Sequence, residues 1–294
     1  MTRQTRNWLI ALLVIYCTPV FVVGGIVAFL ALRPLPPLVP LPSPNAYDDL
    51  VKAGQMVSTN SGNYAKLGTP QLRTLAATNA EALALARDAL DGACRVPVQY
   101  SQNGQGNTYA KLRRLAQAFA AEGRLAELDK RTSKAVECDL DLIRLGADTA
   151  RGGVLIDALI GSSIESMGTT DFQKLASQLD AQTCREAAAT LERADAEKPS
   201  WDGVMKEEDD WIRRAFGMRA VLVEFMFHRQ MKRNGLRTQK SYQAEQLKLR
   251  RLELDLALRA FELEKGHRPA SAAELVPEYL KAVPKNPTTG KNLN

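Results

Sequence analysis

Two side chains in the C-terminal half of the sequence have the types and the spacing of metal ligands. Glu224 and His228 stand at positions i and i+4, which lie on one face of a helix, and carboxylate and imidazole groups both coordinate Zn²⁺. Together with a carboxylate near Glu208, they would suit a metal-dependent hydrolase. Glu224 lies within the apolar run 221–227 and His228 directly follows it, however, and no third ligand is close in the sequence. We therefore predict no metal at this position.

A run of four carboxylates at 207–210 also suggests metal binding or acid–base catalysis. Consecutive residues of a helix point about 100° apart, so four in a row cannot converge on one ion, and we expect a solvated helix face. The sequence contains no Gly-rich phosphate loop, no nucleophile elbow and no paired-cysteine motif. We therefore predict no catalytic residue and no cofactor.

The cysteines leave two arrangements open. Cys17 belongs to an apolar N-terminal run, and Cys94, Cys138 and Cys184 follow it. An odd number of thiols in an oxidising compartment allows one disulfide and one free thiol. Three separate buried cysteines on helix faces are the alternative.

The elements that would position these side chains begin with a membrane anchor. Residues 8–32 contain no charged side chain, and a helix of this length reaches about 37 Å, enough to cross a hydrocarbon core of about 30 Å. Signal peptides have a shorter apolar part of about 7–15 residues and a small-residue cleavage site. We predict an uncleaved, single-pass transmembrane helix in contact with the lipid bilayer. Gly24, Ala28 and Ala31 form a small-residue stripe that either faces lipid or allows a homodimer.

Charges on either side of this helix predict its orientation. Arg3 and Arg6 precede it and Arg33 follows it, and the side with the larger positive charge stays in the cytoplasm. We expect residues 1–7 in the cytoplasm of a bacterial cell. The remaining chain would then lie in the periplasm, beyond the inner membrane.

Basic residues are concentrated near the C-terminal end of the chain. The segment 229–251 contains eight Lys and Arg residues and one acid, Glu245, a pattern typical of nucleic-acid binding. Because we expect this segment outside the cytoplasm, we predict no nucleic-acid partner. A solvated helix–turn segment around Asn234 and Gly235 is our interpretation, and contact with anionic lipid headgroups is the alternative.

Beyond the anchor, the sequence predicts a proline-rich linker and an all-α domain. Six prolines lie between positions 34 and 44, so residues 33–46 should be extended, with their apolar side chains either on lipid headgroups or docked on the domain. From 47 to 294, apolar residues recur at three- and four-residue spacing, with breaks at Gly92, Gly123 and 146–153. Short glycine turns between alanine-rich helices favour an antiparallel α-hairpin array or bundle.

The segment 241–294 has the most specific pattern. A helix from Leu247 to Leu263 is apolar on most sides and should be central. Gly266 should cap it, and a capping box from Ser271 to Glu274 should open a short helix. We predict that the tail beyond packs back on the domain as a structural element. Its motif residues are Gly266, Pro269, Leu275, Val276, Pro277, Tyr279, Leu280, Pro284, Pro287 and Gly290.

These motif residues resemble the module that follows the long helix in pseudopilins of type II secretion systems. The chain lacks the pseudopilin processing site and inserts a long helical region, which argues against polymerisation through the N-terminal helix. As a whole, the chain is similar to uncharacterised membrane-anchored α-helical proteins of planctomycete-type bacteria. These combine an anchor, a segment like Cys94–Pro97 and a Leu-Val-Pro-x-Tyr-Leu ending. That resemblance implies a fold and a location but no activity.

The sequence thus predicts a membrane-anchored, extracytoplasmic helical scaffold or protein-interaction protein of the cell envelope, with a protein partner whose identity it does not indicate. Two alternatives stay open. One is an envelope metal-dependent hydrolase that uses Glu224 and His228, and the other is an accessory component of a secretion or pilus-like assembly.

Overall fold

The structure, a computed structural model, describes residues 34–35, 37–58, 64–100 and 106–294, together with positions 18, 21–22 and 24–25. Side chains are described for these residues except at 106, 218, 221–222, 224–225 and 228–234.

Helices make up most of this part of the chain, and the prediction of an all-α domain is confirmed. They are α1 (Ala46–Met56), α2 (Thr69–Thr78), α3 (Ala80–Leu90), α4 (Gly106–Leu128), α5 (Thr132–Ala150), α6 (Leu155–Leu175), α7 (Ala181–Glu197), α8 (Trp201–Phe216) and α9 (Ala220–Lys265). Short 3₁₀ turns cover Tyr64–Lys66, Ala176–Gln178, Gly217–Arg219 and Ala272–Leu275. Within the described ranges there is no β-strand, only an isolated bridge between Lys285 and Asn292.

The predicted transmembrane helix, residues 8–32, lies mostly outside the described residues, apart from helical positions 18, 21–22 and 24–25. Among the helices that the structure does describe, none combines the length and the apolarity needed to cross a bilayer. In the predicted small-residue stripe, Ala28 and Ala31 are not described, and a Cβ added to Gly24 would meet no atom within 4 Å. The anchor and the homodimer therefore stay predictions.

Helices α5 and α6 run antiparallel and approach until their backbones touch. A Cβ atom added to Gly161 would lie 2.4 Å from the carbonyl oxygen of Gly146, and one added to Gly168 would lie 2.4 Å from that of Asp139. Because a side chain cannot fit there, these positions require glycine. Gly146 thus lies inside a helix, and the predicted break at 146–153 is wrong in its first half. The chain turns only at Gly152, where φ is 70°.

The predicted turn at Gly123 is also wrong. Helix α4 continues to Leu128, and the chain reverses at residues 129–131, where Lys130 has a φ of 58°. A Cβ added to Gly123 would lie 3.2 Å from the Cβ of Cys138. The glycine therefore lets α4 approach α5, and it serves helix packing where the sequence suggested a helix end.

Two apolar clusters form on opposite sides of α5. The first joins α1, α3 and α4 to α5 and includes Tyr47, Leu50, Leu83, Leu112, Phe119, Leu142 and Leu145. The second joins α5 to α6, α7, α9 and the C-terminal tail and includes Ile143, Phe172, Leu191, Leu252, Leu256 and Leu280. Helix α6 also contributes to both clusters, with Ile164 in the first and Phe172 in the second, so α5 and α6 together join the two halves of the bundle.

Helix α9 is continuous from Ala220 to Lys265, so the predicted turn at 234–235 is wrong. Its 46 residues span about 69 Å. The C-terminal half is central, as predicted, with Leu252 and Leu256 at most 1% exposed. Gly266 ends the helix in the left-handed conformation, with φ at 75°, also as predicted.

The C-terminal tail packs on the bundle, as predicted. Leu275, Tyr279 and Leu280 are buried, and the Tyr279 hydroxyl donates a hydrogen bond to Glu264 (2.7 Å). The predicted capping box does not form. Ser271 makes no side-chain cap bond, the Glu274 carboxylate accepts from the backbone N–H of Ala270 (3.1 Å), and the short helix is 3₁₀.

Candidate functional site

The two candidate metal ligands of the sequence remain untested by the structure. Glu224 and His228 lie on α9, but their side chains are outside the described set. Glu208, near which the hydrolase alternative would take its third ligand, accepts a hydrogen bond from the backbone N–H of Leu155 (2.9 Å) at the start of α6. It is half-buried, so the expectation of a fully solvated acidic face is wrong for this residue. No three metal-binding side chains cluster anywhere in the described portion.

A charged cleft of about 360 Å³ lies between α5 and α7. Its charged residues are Asp91, Glu137, Asp141, Arg144, Asp148, Arg151, Arg193 and Glu197. Arg151 pairs with Asp148 (3.0 Å) and with Glu197, and Arg144 pairs with Asp91. Most charges in the cleft are therefore neutralised by a neighbour within it.

Arg87 on α3 adjoins the charged cleft through Asp141. Its guanidinium Nε lies 2.7 Å from the Asp141 carboxylate, it also pairs with Glu122, and it lies 5.2 Å from the centre of the Phe119 ring. Burial raises the pKa of Asp141 to about 6 against the influence of Arg87. Burial raises the pKa of Asp148 to about 6 in the same way, against the influence of a neighbouring arginine. The charge of the cleft therefore changes near pH 6.

A second cleft, of about 510 Å³, has a lining rich in hydroxyl groups. This hydroxyl-lined cleft includes Tyr64, Ser162, Ser163, Ser166, Thr170, Ser241 and Tyr242, with the carboxylates Asp171 and Glu245. Lys198 lies beneath it. The Lys198 ammonium donates to both carboxylate oxygens of Glu165 (2.9 and 3.0 Å) and to the hydroxyl of Ser162 (3.3 Å). The side chains of Lys198 and Glu165 are 1% and 3% exposed.

Ser162 and Lys198 have the residue types of a serine nucleophile with a lysine base. A base needs a free lone pair directed at the hydroxyl. Here the three protons of the Lys198 ammonium are all used, two by Glu165 and one by Ser162, so the serine oxygen accepts a hydrogen bond from the lysine. Burial raises the pKa of Glu165, and the ammonium opposes that rise. The group is thus a buried ion pair that joins α6 to the α7–α8 connection.

The three cysteines beyond the predicted anchor adopt the second of the two arrangements left open by the sequence. Cys94, Cys138 and Cys184 are buried and unpaired. Burial raises the pKa of each of these thiols. Since the thiolate is the reactive form, these positions are unsuited to nucleophilic chemistry.

The Cys94–Pro97 segment is held by a residue that sequence reasoning missed. Asn45 donates a hydrogen bond to the carbonyl of Arg95 (2.9 Å) and accepts one from its N–H (3.0 Å). An asparagine before a helix signals an N-cap, and the Asn45 side chain also accepts from the N–H of Tyr47 (3.4 Å). The contact across 50 residues to Arg95 has no local signal.

The linker follows the surface of the domain. Leu38, Val39 and Leu41 line a groove of about 530 Å³ together with Trp211 and Tyr100. The Trp211 indole N–H donates to the carbonyl of residue 99 (2.9 Å), which holds one wall of the groove. Leu38 and Val39 are nevertheless 58% and 57% exposed. The linker therefore docks on the domain while part of its apolar surface remains uncovered.

Comparison of the chain with protein-family models gave no match, and neither curated proteins nor solved structures gave one. The resemblances to pseudopilins and to planctomycete-type anchored proteins therefore stay expectations from the sequence.

Proposed function

We propose that the protein is a membrane-anchored scaffold, which holds a non-catalytic helical interaction domain in the periplasm. Residues 8–32 would cross the inner membrane, with residues 1–7 in the cytoplasm. The observation that carries the proposal is the pairing of charged groups in the two clefts of the domain.

Catalytic sites keep an acid, a base or a nucleophile directed at the substrate. In contrast, the cationic groups of Arg87, Arg151 and Lys198 each lie against carboxylates of the same domain. Breaking a fully buried pair such as Lys198–Glu165 by removing one partner costs about 3–5 kcal/mol, and the partly exposed pairs of Arg87 and Arg151 are worth less. These pairs therefore support a structural role, in which they hold α3, α5, α6 and the α7–α8 connection in place.

The linker supports a short tether between membrane and domain. Residues 33–46 would reach at most about 40 Å in the polyproline conformation. Residues 38–41 instead lie along the domain, in the groove beside Trp211. The domain would then stay close to the bilayer and present its helical surface to a protein partner in the envelope.

Topology can be tested in the full chain with an engineered thiol. The Arg268 side chain is 86% exposed, so Arg268→Cys should react with an impermeant maleimide on cells whose outer membrane has been opened. Gln4→Cys, on the predicted cytoplasmic side, is the control and should react only after lysis. Labelling of Arg268→Cys only after lysis would refute the proposed location.

The metal-dependent hydrolase alternative can be tested by metal analysis of the purified chain. Stoichiometric zinc or manganese that is lost in His228→Ala, but kept in the control His267→Ala, would favour the hydrolase alternative over the scaffold.

Proteins that copurify with the detergent-solubilised chain would identify the partner. Recovery of secretion-system components among them would favour the accessory role in a secretion assembly.

A further inference from the structure

The positive charge of the chain is concentrated in one segment. Residues 211–240 contain eight Lys and Arg residues and one acid, Glu224, so the segment carries +7. The whole chain carries +6, which leaves −1 for all the other residues together. A localised charge of this size creates a potential that attracts an anionic partner.

The start of this segment lies beside the linker. Trp211 and Arg214, near the end of α8, share a groove with Leu38, and the Arg214 guanidinium lies 5.4 Å from the centre of the Tyr100 ring. Leu38 is six residues beyond the end of the predicted span at Leu32, and six residues reach at most about 20 Å. An anchor at 8–32 would therefore hold the end of α8 close to the headgroup layer.

Exposed apolar side chains lie in the groove beside Arg214 and near the start of α9, which follows the exposed Arg219 of the α8–α9 turn. Leu38, Val39 and Tyr100 are 58%, 57% and 40% exposed, and Met226 near the start of α9 is 64% exposed. Surfaces that lie on a bilayer combine such side chains, which enter the boundary of the acyl region, with basic residues that contact phosphate groups. The combination of exposed apolar and basic groups thus fits a lipid surface.

We propose that these residues form a membrane-contact surface whose partner is the anionic face of the bilayer. We call it the tip patch and define it as Leu38, Val39, Tyr100, Arg214, Arg219 and Met226. The inference rests on the proposed function, because the patch needs the anchor to bring it to the membrane. Its consequence is attachment at two points, so that the span and the tip patch together set the orientation of the domain.

Three exposed apolar residues at different positions along α9 allow the distance of the helix from the membrane to be compared at three points. Met226, Leu236 and Leu263 are 64%, 68% and 49% exposed. At 1.5 Å per residue, Leu236 and Leu263 lie about 15 Å and about 55 Å from Met226 along the helix. Each is changed to cysteine in a full chain that carries Cys17→Ser, and is labelled with an environment-sensitive fluorophore. The chains are reconstituted into nanodiscs of phosphatidylcholine alone, or of phosphatidylcholine and phosphatidylglycerol in equal parts.

In the anionic nanodiscs, the label at position 226 should shift to the blue and be quenched by a quencher attached to the lipid tails. The label at position 263 should show neither the blue shift nor the quenching, because it remains in water. Loss of one basic residue near an anionic surface weakens contact about fivefold, or about 1 kcal/mol. The shielded fraction at position 226 should therefore fall in Arg219→Gln. It should not change in Lys281→Gln, which alters an exposed lysine on the tail.

Two results would overturn the inference of a tip patch without contradicting the proposed membrane anchor. One is an inserted chain whose label at position 226 is as exposed to water as the label at 263. The other is equal shielding in the two lipid compositions, which would exclude recognition of anionic headgroups. A chain that does not insert into nanodiscs at all would instead contradict the proposed function, and the tip patch with it.

Discussion

Replacing Asp139 by asparagine should stabilise the folded domain at neutral and alkaline pH. Asp139 is 3% exposed, and it lies on α5 where α4 and α6 pack closely against that helix. One of its carboxylate oxygens has no hydrogen-bond partner among the residues described. Burial, reinforced by the neighbouring carboxylates Asp171 and Glu127, raises the pKa of Asp139 to about 8.

The direction of the effect follows from where the proton is bound. In the unfolded chain an aspartate has a pKa of about 3.9, so the unfolded state releases a proton that the folded state keeps. The contribution of Asp139 to stability is fully present below the unfolded-state pKa of about 3.9. It is lost as the pH rises from there through the folded-state pKa of about 8. Each pH unit in the window costs about 1.4 kcal/mol. From this group alone, the wild type should lose about 3–4 kcal/mol between pH 5 and pH 8.

The assay is urea unfolding of the detergent-solubilised chain, followed by circular dichroism from pH 5 to pH 8. Asparagine does not titrate in this range, so the free energy of unfolding of Asp139→Asn, relative to wild type, should rise by about 3–4 kcal/mol over the range. At pH 5, the difference in the free energy of unfolding between Asp139→Asn and wild type measures how well the buried site accommodates the asparagine amide. Unsatisfied polar groups of the amide would cost about 1–3 kcal/mol. Asp88→Asn, at an exposed position on α3, is the control and should track the wild type.

A difference between Asp139→Asn and wild type that stays constant from pH 5 to pH 8 would refute the reasoning. It would show that Asp139 is ionised in the folded state across this range, and that water or a cation reaches it. The buried position would then not govern its protonation.

Three further predictions concern packing and the buried ion pair. Gly161→Ala should lower the free energy of unfolding by about 1–3 kcal/mol or more, because its Cβ would lie 2.4 Å from a backbone oxygen; Gly203→Ala on α8 is the matched control in urea unfolding. Lys198→Met should cost about 3–5 kcal/mol by leaving Glu165 unpaired, and adding Glu165→Leu should recover most of the loss. Deleting residues 268–294 should lower the melting temperature markedly, because each large apolar side chain buried there contributes about 1.5–3 kcal/mol. Unchanged melting with loss of a partner would instead make the tail a recognition element.

The prediction of helices succeeded where the information was local. The all-α class, the burial of Leu252 and Leu256 and the left-handed cap at Gly266 all follow from residues within a few turns of one another. Apolar spacing and a C-capping glycine act over such short distances. Element boundaries failed at Gly123 and Gly146, because a glycine required by a neighbouring helix has the same sequence signal as one that ends a helix.

The sequence predicted the candidate sites less well than it predicted the fold. The carboxylate run at 207–210 and the pair at 224 and 228 stand out because their members are adjacent along the chain. The contacts seen in the clefts join residues far apart in sequence: Lys198 is 33 residues from Glu165, and Arg87 is 54 residues from Asp141. Nothing in the local composition marks these partners, so the pairing of the charges was not predicted.

By itself, the sequence determined the helical class of this protein, the buried half of α9 and the concentration of basic residues between 229 and 251. These properties depend on side-chain type and short-range spacing. Only the tertiary structure decided that Gly146 and Gly161 meet, that Asn45 holds the backbone of Arg95, and that Lys198 is paired with Glu165. Such contacts depend on how whole helices approach one another, and that approach is set by the summed packing of the bundle.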